Sequence, residues 1–305
     1  MKLVRFRIQE HGRSRLGFLT PLGIIDADSC WRLYCLNHEL DAPPLPISPR
    51  RLLAEGSERM AQARAASEWI LASGSTPTVL FNVGKVRLQA PVGRPPKILC
   101  IARNYRDHCV EQGVGAPSSP VVFAKYATAI AAPGDPIVRP RITVKLDYEA
   151  ELGVVIGRPG RHIPEDRALE HVGGYMNFND VSARDLQAAD GQWLRGKSCD
   201  TFAPIGPALV TPDEAPDPQN LRIQCRVNGE TVQDANTSQM IFSVAHLISF
   251  ISEFLTLEVG DVIATGTPHG VGHVRKPPRF LNPGDRVEVE IEKLGVLANT
   301  VVDEV

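Results

Sequence analysis

No two of the six cysteines in this 305-residue chain form a CxxC pair. Cys30, Cys35, Cys100, Cys109, Cys199 and Cys225 are too sparse for a disulfide-stapled scaffold, and their spacings match no zinc knuckle. Isolated reduced thiols are therefore expected. Long apolar runs are also missing. Stretches such as Leu152–Ile156 fall far short of a bilayer span, and the opening MKLVRFRIQEHGRSR has no apolar signal-peptide core. These absences point to a soluble, cytoplasmic protein with no membrane partner. Neither sign of charge dominates: 33 Lys+Arg stand against 35 Asp+Glu, for a net charge of −2. With no aromatic–basic clusters, that balance argues against a nucleic-acid partner. The phosphate-cradling GxxxxGKS/T and GxGxxG patterns are absent too. Long uninterrupted helices are excluded by 25 glycines and 25 prolines.

What is present suggests two domains, since domains typically run to about 150 residues. Residues 1–28 read as two or three short strands. Arg51 to Ala72 reads as an amphipathic helix with Leu53, Met60, Ala63 and Ile70 on one face, stopped by Gly74 to Pro77. Val79 to Gln89 reads as a strand pair around Gly84. A rigid connector, APVGRPP, follows at 90–96. The boundary is placed there, dividing a small N-terminal domain (1–92) from a larger one (93–305). Beyond it the chain is strand-rich, with no regular βαβ rhythm. Asn228-Gly229 marks a hairpin. Ser243 can cap a helix in which Val244, Leu247, Ile248, Ile251 and Leu255 follow helical spacing. The fold class expected is mixed α/β and β-rich.

Three groups of residues carry chemical interest. Glu149 and Glu151 lie two apart in an apolar strand, DYEAELGVVI, so they share a face. Two carboxylates so placed need a cation, a proton or solvent. Asp180 ends a second apolar strand. Three oxygen donors suit Mg²⁺ or Mn²⁺, whereas a solvent-facing edge strand is the plainer alternative. His108 and Glu111 stand three apart, so a helix would let Glu111 orient His108 as a general base; an ordinary exposed pair would look the same. Lys197, between Gly196 and Ser198, can meet an anion or reach solvent. The glycine-rich TGTPHGVG at 265–272 lets backbone pass close to a ligand. His269 and His273 within and beside it define no helical face and are not taken as ligands.

The ordered motifs ILCIARNYRDHCVEQ, FAKYATAI, DYEAELGVVIG, FNDVSARDLQ, GKSCDTFAPIGPALVT, VNGETVQDANTSQMIF and GDVIATGTPHGVG together resemble the fumarylacetoacetate hydrolase family. The resemblance runs from about Lys97 to the C-terminus. The region before it looks like that of the longer members, among them mitochondrial homologues described as oxaloacetate tautomerases. The resemblance implies a catalytic domain built as a distorted mixed β-sheet roll, a small N-terminal α/β domain and a homodimer. It implies that Glu149, Glu151 and Asp180 hold Mg²⁺ or Mn²⁺, and that His108, Glu111 and Lys197 are catalytic. Lys125, Gln187 and Thr267 match residues that line the substrate site. The activity implied is divalent-metal-dependent chemistry on small 2-oxo or diketo acids through a metal-bound enolate. Hydrolysis of a C–C bond in an acylpyruvate or related catabolite is the leading expectation. Oxaloacetate keto–enol tautomerisation or decarboxylation is the first alternative, and a non-catalytic metabolite-binding protein the second.

Overall fold

The computed structural model describes residues 1–8, 12–74 and 79–305. Among these residues two sheets dominate. The larger runs, strand by strand, through Leu80–Phe81, Gly23–Asp26, Arg15–Thr20, Lys2–Arg7, Ala203–Val210, Val172–Asn179, Ala150–Ile156, Val262–Ala264, Ile98–Ala102 and Val121–Lys125. Its pairings along that path are antiparallel except where Val262–Ala264 runs parallel to Ile98–Ala102. The smaller sheet orders Glu230–Asn236, Arg222–Val227, Arg286–Ile291, Gly295–Asp303 and Ile137–Arg139. Asn177 ties the two sheets together. Its amide donates to the carbonyls of Gly206 and Gly295, and its oxygen accepts from the backbone N–H of Ile291. The result is mixed α/β and sheet-rich, as composition and pattern suggest.

The central strands are apolar because both faces are covered. Ala150–Ile156 and Val172–Asn179 are buried at every position. Such strands read as unbroken hydrophobic runs rather than alternating ones. The Asn228-Gly229 hairpin forms as expected, with both residues at positive φ (53° and 81°). Helix Val244–Phe254 starts at Ser243, whose hydroxyl accepts from the His246 N–H.

Three local expectations change. The single helix expected over 51–72 is two, Pro49–Ala54 and Ser57–Ala72, broken at Gly56, whose φ of 90° no helix accommodates. Leu53, Ala63 and Ile70 are buried as the pattern requires, and Met60 is half-buried. The helix ends at Ala72; of its expected stop, residues 75–77 lie outside the described residues. Leu80–Phe81 and Arg87–Gln89 are not a pair: the first joins Gly23–Asp26 and the second Lys2–Arg7. A helix not foreseen, Ala27–Asn37, is capped by Asp26, whose carboxylate accepts from the Ser29 N–H at 2.8 Å. Among the described residues no helix is long and apolar enough to cross a membrane.

Candidate active site

Glu149 precedes strand Ala150–Ile156, Glu151 is its second residue, and Asp180 follows the neighbouring strand Val172–Asn179. Antiparallel pairing sets Ala150 opposite Asn179, so all three carboxylates converge at one end of that strand pair. One oxygen of each lies within 4.8 Å of the others, and all three residues are buried. Two of the three are neutralised by cations. Glu149 accepts from Arg184 Nη2 at 2.6 Å and from Lys197 Nζ at 2.7 Å. Asp180 accepts from Lys197 Nζ at 2.7 Å and also from Lys125 Nζ.

Glu151 differs. Among the described residues it forms no ion pair, and its hydrogen bond comes from the backbone N–H of Gly266 at 2.9 Å. Burial, then the charges of Asp180 and Glu149, pushes its carboxyl well above the usual carboxylate range. Burial opposes ionisation of Glu149 as well, but the Arg184 guanidinium and the Lys197 ammonium outweigh it and hold that carboxyl low. A hard divalent cation would satisfy Glu151 and use oxygen donors from all three side chains, so the residues fit Mg²⁺ or Mn²⁺.

The Gly266 contact depends on glycine. At φ 96° a side chain is strained, and a Cβ would lie 2.8 Å from Asn104 Cβ. Asn104 fixes the turn from the other side. It is fully buried, its amide donates to the carbonyls of Thr265 and Phe242, and its oxygen accepts from the Phe242 N–H.

Across a cavity of about 500 Å³ stands the short helix Arg106–Glu111. His108 Nδ1 lies 2.6 Å from Glu111 Oε1. That contact assigns the proton to Nδ1 and leaves the Nε2 lone pair to accept from the Gln112 amide at 2.9 Å. The other Glu111 oxygen accepts from the Gly270 N–H at 2.8 Å, which fastens the helix to the 265–272 loop. His108, Glu111, Glu149, Glu151, Lys197, Gln187 and Thr267 all line the cavity. Lys125 does not; it is buried against Asp180 and donates to the Val181 carbonyl at 3.0 Å. His269 and His273 stay outside the carboxylate group, and His273 Nδ1 sits 3.2 Å from Asp147.

The sequence reading passed over three side chains. Arg184 spans Asp147 and Glu149, at 2.8 and 2.6 Å, and also donates to Gln187 at 3.0 Å. Gln233, 1% exposed, accepts from the Ala150 N–H at 2.9 Å and donates to Thr267 Oγ1 at 2.8 Å. Arg103 lines the cavity with φ 56°. In the sequence these are single polar residues without a spacing signature; only burial and contact reveal them.

The sequence profile described as "Fumarylacetoacetate (FAA) hydrolase C-terminal" matches residues 97–302. The chain belongs to the fumarylacetoacetate hydrolase family. It is an enzyme of that family, which sets aside the non-catalytic alternative. A human relative, "Oxaloacetate tautomerase FAHD2A, mitochondrial", is 48% identical over 99% of this chain and 92% of its own length. "Oxaloacetate tautomerase YisK" of Bacillus subtilis is 42% identical over 91% of this chain and 94% of its own. Among solved structures, a fumarylacetoacetate hydrolase from Exiguobacterium antarcticum superposes with a TM-score of 0.79 at 36% identity, covering 100% of both chains. The family fold is thus shared over the whole chain.

The cytoplasmic expectation does not stand. The human relative and those from rat and cattle are named as mitochondrial proteins. That expectation rested on a missing apolar leader, which marks secretion; mitochondrial leaders are amphipathic and arginine-rich instead.

Proposed function

We propose that this chain is a divalent-metal-dependent oxaloacetate keto–enol tautomerase, in place of the C–C hydrolase that the motifs alone favour. The observation that carries it is a His–carboxylate pair sharing one cavity with Glu149 and Glu151 of a three-carboxylate group, in a chain similar over nearly its full length to proteins named oxaloacetate tautomerases. Tautomerisation asks for less than hydrolysis: one proton moves between C3 and the C2 oxygen, and no C–C bond breaks.

Each residue then has a defined task. Glu149, Glu151 and Asp180 would hold Mg²⁺ or Mn²⁺, which supplies Lewis-acid polarisation of the substrate's oxygens. His108 Nε2 takes up or returns the C3 proton, and Glu111 keeps the other ring nitrogen protonated and stabilises the imidazolium. Substrate must displace the Gln112 amide that occupies Nε2. Lys197 gives two hydrogens to Glu149 and Asp180, leaving a third for the substrate's developing charge. Gln187 and Thr267 supply polar edges for substrate, and Lys125 secures Asp180 from below. The same reading includes a homodimer and the division at 92/93, addressed by light scattering and limited proteolysis.

The test is to mix enol-oxaloacetate with the Mg²⁺-loaded protein and follow enol absorbance, CO₂ and pyruvate separately. Accelerated loss of enol without CO₂ or pyruvate is expected, slowed about 10²–10⁴-fold by His108→Ala. Cleavage of acylpyruvates without acceleration of enol loss would return the assignment to the hydrolase.

A further inference from the structure

The cations around the cavity are almost all engaged. Arg184 binds Asp147, Glu149 and Gln187, and Lys197 binds Glu149 and Asp180. His108 is held by Glu111 and Gln112, and His273 by Asp147. Arg103 is the exception. It lines the cavity half-buried, and among the described residues no hydrogen bond, ion pair or ring contact occupies its guanidinium.

Its backbone is the second observation. Arg103 adopts a left-handed conformation directly after strand Ile98–Ala102. Arginine rarely takes that conformation unless its surroundings impose it, and such outliers gather at functional sites. Here the surroundings do impose it. The next residue, Asn104, is fixed by Thr265 and Phe242, and its carbonyl accepts from the Ile241 N–H at 2.7 Å. The Arg103 carbonyl accepts from the Cys109 thiol. The side chain is thereby carried on a rigid turn between the strand and the helix of the catalytic pair.

A half-buried guanidinium without a counter-ion, in a cavity whose carboxylates are already assigned, calls for an anion from the ligand. We propose that Arg103 is a specificity-determining residue that pairs with the second carboxylate of a dicarboxylic 2-oxo acid, the first being taken at the Glu149–Glu151–Asp180 end. This rests on the tautomerase reading and deepens it: the cavity selects dianions over 2-oxo acids with a neutral tail. The planar fork of arginine suits a carboxylate in two-point contact.

The experiment compares steady-state kinetics on enol-oxaloacetate and on enolic acetylpyruvate, which has one carboxylate, for wild type, Arg103→Gln, Arg103→Gly and Arg103→Lys. Glycine suits the left-handed backbone, so Arg103→Gly keeps folding out of the comparison, as its melting curve will show. Arg106→Gln removes an exposed cation next to the site but outside the cavity lining and controls for long-range attraction. The expected result is a roughly 30–100-fold rise in KM for oxaloacetate in the Gln and Gly variants. The preference for the dicarboxylate should fall by a similar factor, Arg103→Lys should lie between, and Arg106→Gln should keep the wild-type preference. An unchanged preference, or an equal loss on both acids, overturns the assignment of Arg103 alone. A wild-type chain that isomerises neither acid overturns the tautomerase reading itself.

Discussion

Glu151 makes the sharpest residue-scale demand in the molecule. A carboxylate 2% exposed, beside two others and bonded to one backbone N–H, is stable only with a cation or a proton. Glu151→Gln keeps the shape and removes the charge. We expect the metal-free variant to melt no lower than wild type, because the replaced group was a burden without the ion. Its Mg²⁺ affinity should fall at least about 100-fold, since even outer partners of metal ligands cost 10–100-fold. Calorimetric melting with and without Mg²⁺ reads both effects: the metal-induced rise expected of wild type should be absent from the variant. The spacing of Glu149 and Glu151 in an apolar strand was legible because period-2 geometry is local. Arg184 was not legible, since a lone arginine in SARDLQ looks like any solvated charge until Asp147 and Glu149 are seen on either side of it.

Between elements, the 265–272 loop is the part on which the others converge. It receives Glu111 from the short helix and the amide of Gln233 from strand Glu230–Asn236. The Ala150 N–H donates to the Gln233 oxygen, so the amide must face Thr267 and Pro268 as donor. With that lone pair of Thr267 taken, its hydroxyl hydrogen is free to point into the cavity. Gln233→Leu should cost about 2–4 kcal/mol of stability by leaving buried polar groups unpaired. A positioning role predicts more than that: the losses in kcat/KM from Gln233→Leu and Thr267→Val should be far from additive, while additive losses would leave Gln233 purely structural. Elements with local signals, such as the Asn228-Gly229 hairpin and the Ser243-capped helix, were readable in advance. The separate destinations of Leu80–Phe81 and Arg87–Gln89 were not, because their partners lie more than 50 residues away in the chain. Strand Gly295–Asp303 also went unanticipated.

For the molecule as a whole, the large sheet crosses the connector that sequence reading took as a boundary. Lys2–Arg7 pairs with Ala203–Val210, and the buried residues Leu3, Val4 and Phe6 belong to the same apolar core as the catalytic strands. A chain cut to residues 97–305 would bare that edge and the apolar surface beside it, a setting for association through unpaired strands. We expect it to be far less soluble on expression than the full chain; soluble fraction and light scattering of the two decide the matter. If it is, the stretch matched by the family profile, 97–302, needs strand Lys2–Arg7 beside it to stay in solution.

One further consequence follows from where the carboxylates are mounted. Strand Ala150–Ile156 is flanked on both sides and wholly covered, while His108 rides on a six-residue helix with exposed positions. The carboxylates thus last as long as the core that carries them, whereas the pair proposed to handle protons depends on a short helix tied to the 265–272 loop through Glu111. Heating is expected to loosen that short helix before the sheet, so turnover should be lost at a lower temperature than the metal-induced rise in melting point.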